Sequence, residues 1–147
     1  MALCCDLRVG GPKARLGLTE TRLAIIPGAG GTQRLPRLIG LARAKELIFT
    51  AAICDAPRAA SLGLLNHAVA DGESGFPRAR DLAREILPRG PVAVRMAKQA
   101  LDTGAQLDLA SGLTVEQLCY AQVLPTEDRV EALEAFRGKR PPVFKGQ

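Results

Sequence analysis

The chain has 147 residues, enough for one ordinary domain, and its 47% apolar and 24% charged content marks it as globular rather than disordered. With 3% aromatic residues and no Trp, the core must come from Leu, Ile, Val and Ala, which suits packed helices better than a β-sandwich. A net charge of +5, carried mainly by arginine, fits a phosphate or carboxylate ligand, a nucleic acid or simply a solvated exterior, yet no aromatics interleave with the basic residues as single-strand stacking requires.

In chain order, residues 2–9 and 14–26 read as short apolar segments separated by the turn Gly10-Gly11-Pro12, the end of a helix and one or two strands. Glu20 falls on a short strand between Leu18 and Leu23 in this reading. After the cluster Gly28-Ala29-Gly30-Gly31, residues 32–39 and 42–50 read as helices, the second burying Ala44, Leu47 and Ile48. Asp55 is placed to cap the next helix, with Pro57 in its first turn, where the missing N–H is harmless. Gly63 closes that helix and leaves 64–70 as a last strand. Residues 71–74 turn polar, strand signals vanish beyond them, and the subdomain boundary is placed there. Ala79, Leu82, Ala83, Ile86 and Leu87 have the spacing of a core-facing helical stripe. Helices over 91–103, 107–123 and 126–136 then lead to an extended tail at 139–144.

Glu20 is the residue that carries chemistry in this reading. A carboxylate with one apolar face and limited water has its charged form disfavoured, as proton transfer near neutral pH requires; the alternative is an ordinary exposed acid beside Arg22. The glycine cluster lacks the Lys of a phosphate-binding Walker loop and the third glycine of a dinucleotide fingerprint. It remains either a plain turn or a helix entry whose free N–H groups suit an anion or a polarised oxygen. The four cysteines form no C-x-x-C pair and His67 is the one histidine, so neither a zinc site nor a disulfide scaffold is indicated. Buried free thiols and a structural, unpartnered His67 are expected. Arg137, Lys139, Arg140 and Lys145 have no acid among them and could simply complement a helix C-terminus.

Glu20, the run Ile25-Ile26-Pro27-Gly28-Ala29-Gly30-Gly31-Thr32-Gln33-Arg34-Leu35 and the later Leu62-Gly63-Leu64-Leu65 resemble the enoyl-CoA hydratase/isomerase (crotonase) family. The resemblance implies an α/β fold that is helix-dominated overall: residues 1–70 as the C-terminal part of a crotonase-like spiral (ββα) core, and 71–147 as an α-helical oligomerisation subdomain. It implies syn addition of water to a 2-enoyl-CoA thioester, with Glu20 as the second catalytic glutamate and the Gly28 amide holding the water. The other glutamate belongs to a Gly-Gly-Gly-x-Glu motif that the family places directly before the position of Met1, with the oxyanion donors also upstream. The 147 residues alone are therefore expected not to be a competent hydratase, and the apolar faces of Leu3, Leu18, Ile25 and Leu64 are expected to lack the layers they normally cover.

Phe136 and Lys139 match the aromatic and lysine that reach CoA's adenine and phosphates from a neighbouring subunit; Cys119 stands where some relatives have a further aromatic. No dissociable cofactor or metal is implied, because CoA enters as part of the acyl-CoA substrate. The implied partner is a further copy, as a trimer or dimer of trimers formed through 71–147. No run approaches the roughly 20 apolar residues of a membrane span, so a soluble protein is expected. Nucleic acid is not expected, since the lysine-rich helix used by an RNA-binding family member lies upstream. The family points to mitochondrial fatty-acid or branched-chain acyl-CoA metabolism, but the N-terminus carries neither a signal peptide nor an amphipathic transit segment; an organelle address is missing or carried by a longer form. The second reading is a non-catalytic interaction module that oligomerises with full-length crotonases.

Overall fold

The computed structural model describes all 147 residues, Met1–Gln147, and the chain divides into two units, Met1–Leu82 and Ala83–Gln147. In the first unit a 3-10 turn, Ala2–Cys4, precedes β1 (Val9–Gly10) and β2 (Arg15–Gly17), and a second 3-10 turn, Glu20–Leu23, follows. Next come α1 (Gly31–Ile39), α2 (Leu41–Phe49), β3 (Ile53–Asp55), α3 (Ala56–Ser61) and β4 (His67–Ala68). Helix α4 (Gly75–Ile86) contains the division between the units, downstream of the polar stretch at 71–74.

Two small ladders order this unit: β1 runs parallel to β4 with Val9 opposite His67, and β2 runs antiparallel to β3 with Leu16 opposite Cys54. Arg8 fastens the first ladder, its main-chain N–H donating to Asn66 Oδ1 at 2.8 Å and its Nε to the Leu64 carbonyl at 2.7 Å. The expected strand at 64–70 shrinks to His67–Ala68, because Leu64 and Leu65 are buried in the core and their N–H groups bond to the Ala59 carbonyl instead of a ladder partner.

Local chemistry explains the helix ends. The Asp55 carboxylate accepts from the Arg58 N–H at 2.9 Å and caps α3. At its other end Gly63 takes φ +83°, with Gly63 N–H to the Ala60 carbonyl and Leu64 N–H to the Ala59 carbonyl, the paired bonds of a Schellman ending. This turn drives Leu64 inward, so it is buried and not bare as expected. The core gathers Leu35, Ile39, Ala44, Leu47, Cys54, Leu62 and Leu64 with Ala56 and Ala59, and Leu3, Leu16, Leu18 and Ile48 pack partly against it. Ile25 stays 58% exposed.

The second unit carries α5 (Pro91–Gly104), α6 (Leu109–Val123) and α7 (Glu127–Arg137). Asp108 caps α6 through the Ser111 N–H and Thr126 caps α7 through the Arg129 N–H. Helices α5 and α6 pack at glycines: a Cβ on Gly104 would stand 3.7 Å from the Gly112 Cα. The stripe expected to be core-facing on α4 is not enclosed, with Ile86 41% and Leu87 79% exposed. Helical periodicity records which face is apolar, not that a layer covers it. No helix is long and apolar enough to cross a membrane.

Candidate active site

Glu20 begins a 3-10 turn and does not lie on a strand. The cause is tertiary. Its two successors tether the turn to the end of α2, Thr21 Oγ1 donating to the Ile48 carbonyl at 2.8 Å and Arg22 Nη2 to the Ala51 carbonyl at 2.8 Å. Carbonyls accumulate at a helix C-terminus, so that end offers the acceptors. Ala24 then takes the left-handed φ of +56°, and the Ile25 N–H returns to the Glu20 carbonyl.

The Glu20 side chain lines a cavity of about 340 Å³ whose walls include Leu3, Leu16, Leu18, Pro27, Leu35 and Leu47, with Arg15 and Arg34 also on its lining. Its Oε2 is buried without a hydrogen-bond partner. Leaving such an acceptor unsatisfied costs about 1–3 kcal/mol. A carboxylate held in this way marks a place where water or a ligand supplies the missing donor.

The glycine cluster divides by role. Gly31 is buried, and a Cβ there would come within 2.7 Å of Pro27 Cβ and 2.8 Å of Leu18 Cδ1, so only glycine lets α1 begin against the residues that lead into Glu20. Gly30 precedes α1 and its carbonyl accepts from the Arg34 N–H at 2.9 Å. Gly28 is exposed, and a Cβ on it would meet nothing nearer than the Ile26 carbonyl at 3.9 Å. Sterics do not require glycine at 28; any role belongs to its main-chain N–H. Pro27, Ala29 and Gly31 line the Glu20 cavity, whereas Gly28 is not on its wall.

Phe136 and Lys139 lie in the second unit, at the end of α7. Phe136 is 84% exposed. The helix closes with Lys139 N–H to the Phe136 carbonyl at 3.2 Å and Arg140 N–H to the Ala135 carbonyl at 3.0 Å, again a Schellman ending, but the left-handed residue is Lys139 at φ +50°.

The tail that follows folds back along α7. Arg140 forks onto Glu131 at 2.6 and 2.8 Å, and the Val143 N–H reaches Glu131 Oε1 at 2.8 Å. These donors, Arg140 first, pull the Glu131 carboxyl from its ordinary 4.5 down to about 2. The buried Asp128 carboxylate accepts from the N–H groups of Lys145 at 2.6 Å and Gly146 at 2.8 Å. Arg140, which the sequence allowed simply to complement the helix C-terminus, is committed to Glu131.

Two further corrections concern His67 and the cysteines, expected to be unpartnered and buried. His67 is partnered: its Nε2 stands 3.1 Å from Arg78 Nη2, a contact between β4 and the first turns of α4 that no local pattern reveals. Cys54 and Cys119 are buried, but Cys4 and Cys5 are exposed, and Cys4 lines the Glu20 cavity. Burial pushes the Cys54 thiol up from its ordinary value.

The family model described as enoyl-CoA hydratase/isomerase matches residues 1–147. Methylglutaconyl-CoA hydratase, mitochondrial, of Homo sapiens is 53% identical over all of this chain and 44% of its own length. Enoyl-CoA hydratase domain-containing protein 2, mitochondrial, of Homo sapiens is 55% identical over all of this chain and 51% of its own. Among solved structures, an enoyl-CoA hydratase from Bacillus anthracis superposes with a TM-score of 0.93 at 50% identity, over 99% of this chain and 56% of that one. The chain spans about half the length of the curated relatives it matches.

Proposed function

The chain belongs to the enoyl-CoA hydratase/isomerase family and has its α/β crotonase fold, and from that premise we propose that it contributes one acid/base group and one water-holding amide to the syn hydration of a 2-enoyl-CoA thioester. The observation that carries this reading is Glu20 on the wall of a cavity lined by leucines and two arginines, with its Oε2 buried and unpartnered. In the proposed step a water held at the Gly28 N–H bonds through oxygen to C3 as one carboxylate takes its proton, and C2 receives a proton from the other. Backbone donors at the thioester oxygen stabilise the enolate-like transition state, and each is worth about 3–4 kcal/mol where single donors have been removed. Glu20 and Gly28 are this chain's share; the second glutamate and the oxyanion donors belong to the remainder of the family fold.

Phe136 and Lys139 are assigned to the CoA nucleotide, where an exposed ring and an adjacent ammonium suit adenine and phosphate. No dissociable cofactor is required, since CoA arrives with the acyl group. Both human relatives bear the word mitochondrial in their names, and we place this chain with them in mitochondrial acyl-CoA metabolism. The test is hydration of crotonyl-CoA and of 3-methylglutaconyl-CoA by a protein containing these residues and the remainder of the fold, beside its Glu20→Gln variant. Turnover falling about 10²- to 10⁴-fold with little change in thioester affinity is expected. Near-full turnover in the variant would overturn the assignment.

A second reading has its own observation. An apolar groove of about 840 Å³ runs between α5 and α6, lined by Met96, Leu101, Leu109 and Leu113. It favours a role for residues 71–147 in assembling copies of the family fold, with or without catalysis by this chain. Nucleic acid has no comparable support. Sedimentation of the chain alone and mixed with a full-length family member tests assembly, and failure to associate in either case removes this reading.

A further inference from the structure

Lys139 occupies the left-handed position of a helix ending, at φ +50°. Four endings in this chain have the paired Schellman bonds, and their left-handed residues are Ala24, Ala51, Gly63 and Lys139; Ala24 closes the 3-10 turn that begins with Glu20 and carries only a methyl group. Gly63 is the residue such a site favours. Ala51 is 3% exposed, so its methyl group is retained by the core it fills. Lys139 is exposed, and its ammonium has no hydrogen-bonding or ionic partner within the chain. Neither packing nor pairing accounts for a lysine there, while glycine stands one residue earlier at Gly138. A left-handed residue other than glycine persists where its surroundings over-determine it, and such outliers concentrate at functional positions.

The surroundings that hold it are visible. On one side the ending is closed by bonds to α7; on the other the chain is caught at once by Glu131, through both Arg140 guanidinium nitrogens and the Val143 N–H. Asp128 secures the next stretch at Lys145 and Gly146. The Glu131 fork begins at the residue after Lys139, so Lys139 has fixed backbone before and after it.

We propose that Glu131 is a positioning residue for the CoA nucleotide, acting through Arg140 to hold Lys139 in its left-handed conformation so that ammonium and Phe136 ring are presented together. This rests on the assignment of Phe136 and Lys139 to the nucleotide. Arg140 is excluded from phosphate by its commitment to Glu131, whereas nothing within the chain claims the Lys139 ammonium.

A double-mutant cycle read by calorimetric titration of CoA into an assembled protein containing these residues and the remainder of the family fold tests the proposal. Lys139→Ala is expected to weaken CoA binding about 5- to 10-fold, and Glu131→Gln by a similar factor while Lys139 is present. In the Lys139→Ala background Glu131→Gln should cause no further loss, because its effect passes through the lysine; a merely structural carboxylate would weaken binding independently in both backgrounds. Arg140→Gln removes the other half of the fork, should show the same dependence on Lys139, and serves if Glu131→Gln melts at too low a temperature to titrate. Equal factors in both backgrounds, or unchanged affinity in Glu131→Gln, overturn the positioning role and leave the nucleotide assignment standing. Unchanged affinity in Lys139→Ala removes that assignment and the positioning role with it.

Discussion

Arg22 and Ala51 are joined across the first unit: the guanidinium Nη2 donates at 2.8 Å to a carbonyl in the left-handed turn that ends α2, fixing the 3-10 turn that begins with Glu20. Arg22→Met keeps much of the aliphatic stem and deletes this donor. The variant is expected to lose about 1 kcal/mol of unfolding free energy in chemical denaturation and to show faster amide exchange at Ala24 and Ile25. Unchanged exchange would mean that Thr21 and its bond to the Ile48 carbonyl suffice to hold the turn.

The two glycines nearest the chemistry should respond in opposite ways to a methyl group. Gly31→Ala drives a Cβ to 2.7 Å from Pro27, which is itself fully buried, and should cost about 1–3 kcal/mol. Gly28→Ala meets no atom nearer than 3.9 Å and should leave stability within about 0.5 kcal/mol of the parent. Thermal or urea unfolding of both variants decides the matter, and a Gly28→Ala chain as unstable as Gly31→Ala would contradict the local geometry.

The Glu131 clamp has a defined pH signature. Its carboxyl is held at about 2 in the folded chain against an ordinary 4.5, so its contribution is complete above pH 4.5 and is lost as pH falls from there through about 2. Exchange protection of the Val143 amide, which Glu131 accepts, should therefore collapse between pH 4.5 and 2 in the parent chain. In Glu131→Gln that pH dependence should be absent. A parent profile parallel to that of Glu131→Gln across the window would show that the clamp does not form in solution.

What the sequence disclosed was whatever chemistry acts over a few residues. Asp55 three residues before the N–H it caps, Pro91 opening α5 and Gly63 closing α3 are local signals, and the structure has each in that role. Glu20 was a chemical candidate beside Leu18 and Leu23 chiefly through the family resemblance, since its local context also allowed an ordinary exposed acid. Its backbone was not legible, because the 3-10 turn depends on carbonyls at Ile48 and Ala51. The same reason hid His67 and Arg78, eleven residues apart. It also hid the folded-back tail, which the Asp128 carboxylate in the first turn of α7 holds at Lys145 and Gly146. Short strands fared worst, and Ile53–Asp55 was missed because three residues carry too little alternation to register beside a helix cap.

Lys139→Gly separates stability from binding. Glycine takes the left-handed turn without the penalty a side chain meets there, so the variant should be more stable by up to about 1 kcal/mol even after the greater freedom of its unfolded chain is counted. Its affinity for CoA should nevertheless fall as in Lys139→Ala. A variant that gains stability and binds CoA as before would show that the lysine is incidental.

The same opposition should appear more strongly at Glu20. Its buried Oε2 has no donor from the protein, so the carboxylate depends on water or a ligand in the cavity for that bond, and its burial there costs stability. Glu20→Met retains the length of the side chain and replaces the polar end with one suited to Leu16, Leu18 and Pro27. It is expected to raise unfolding free energy by about 1 kcal/mol, and to abolish hydration in any longer form that turns over enoyl-CoA. Stabilisation on removing a functional group is the usual trade between a strained site and its activity. If Glu20→Met is instead less stable than the parent by denaturant titration, the carboxylate is satisfied in solution, and Glu20 returns to the ordinary exposed acid that its sequence context also allows.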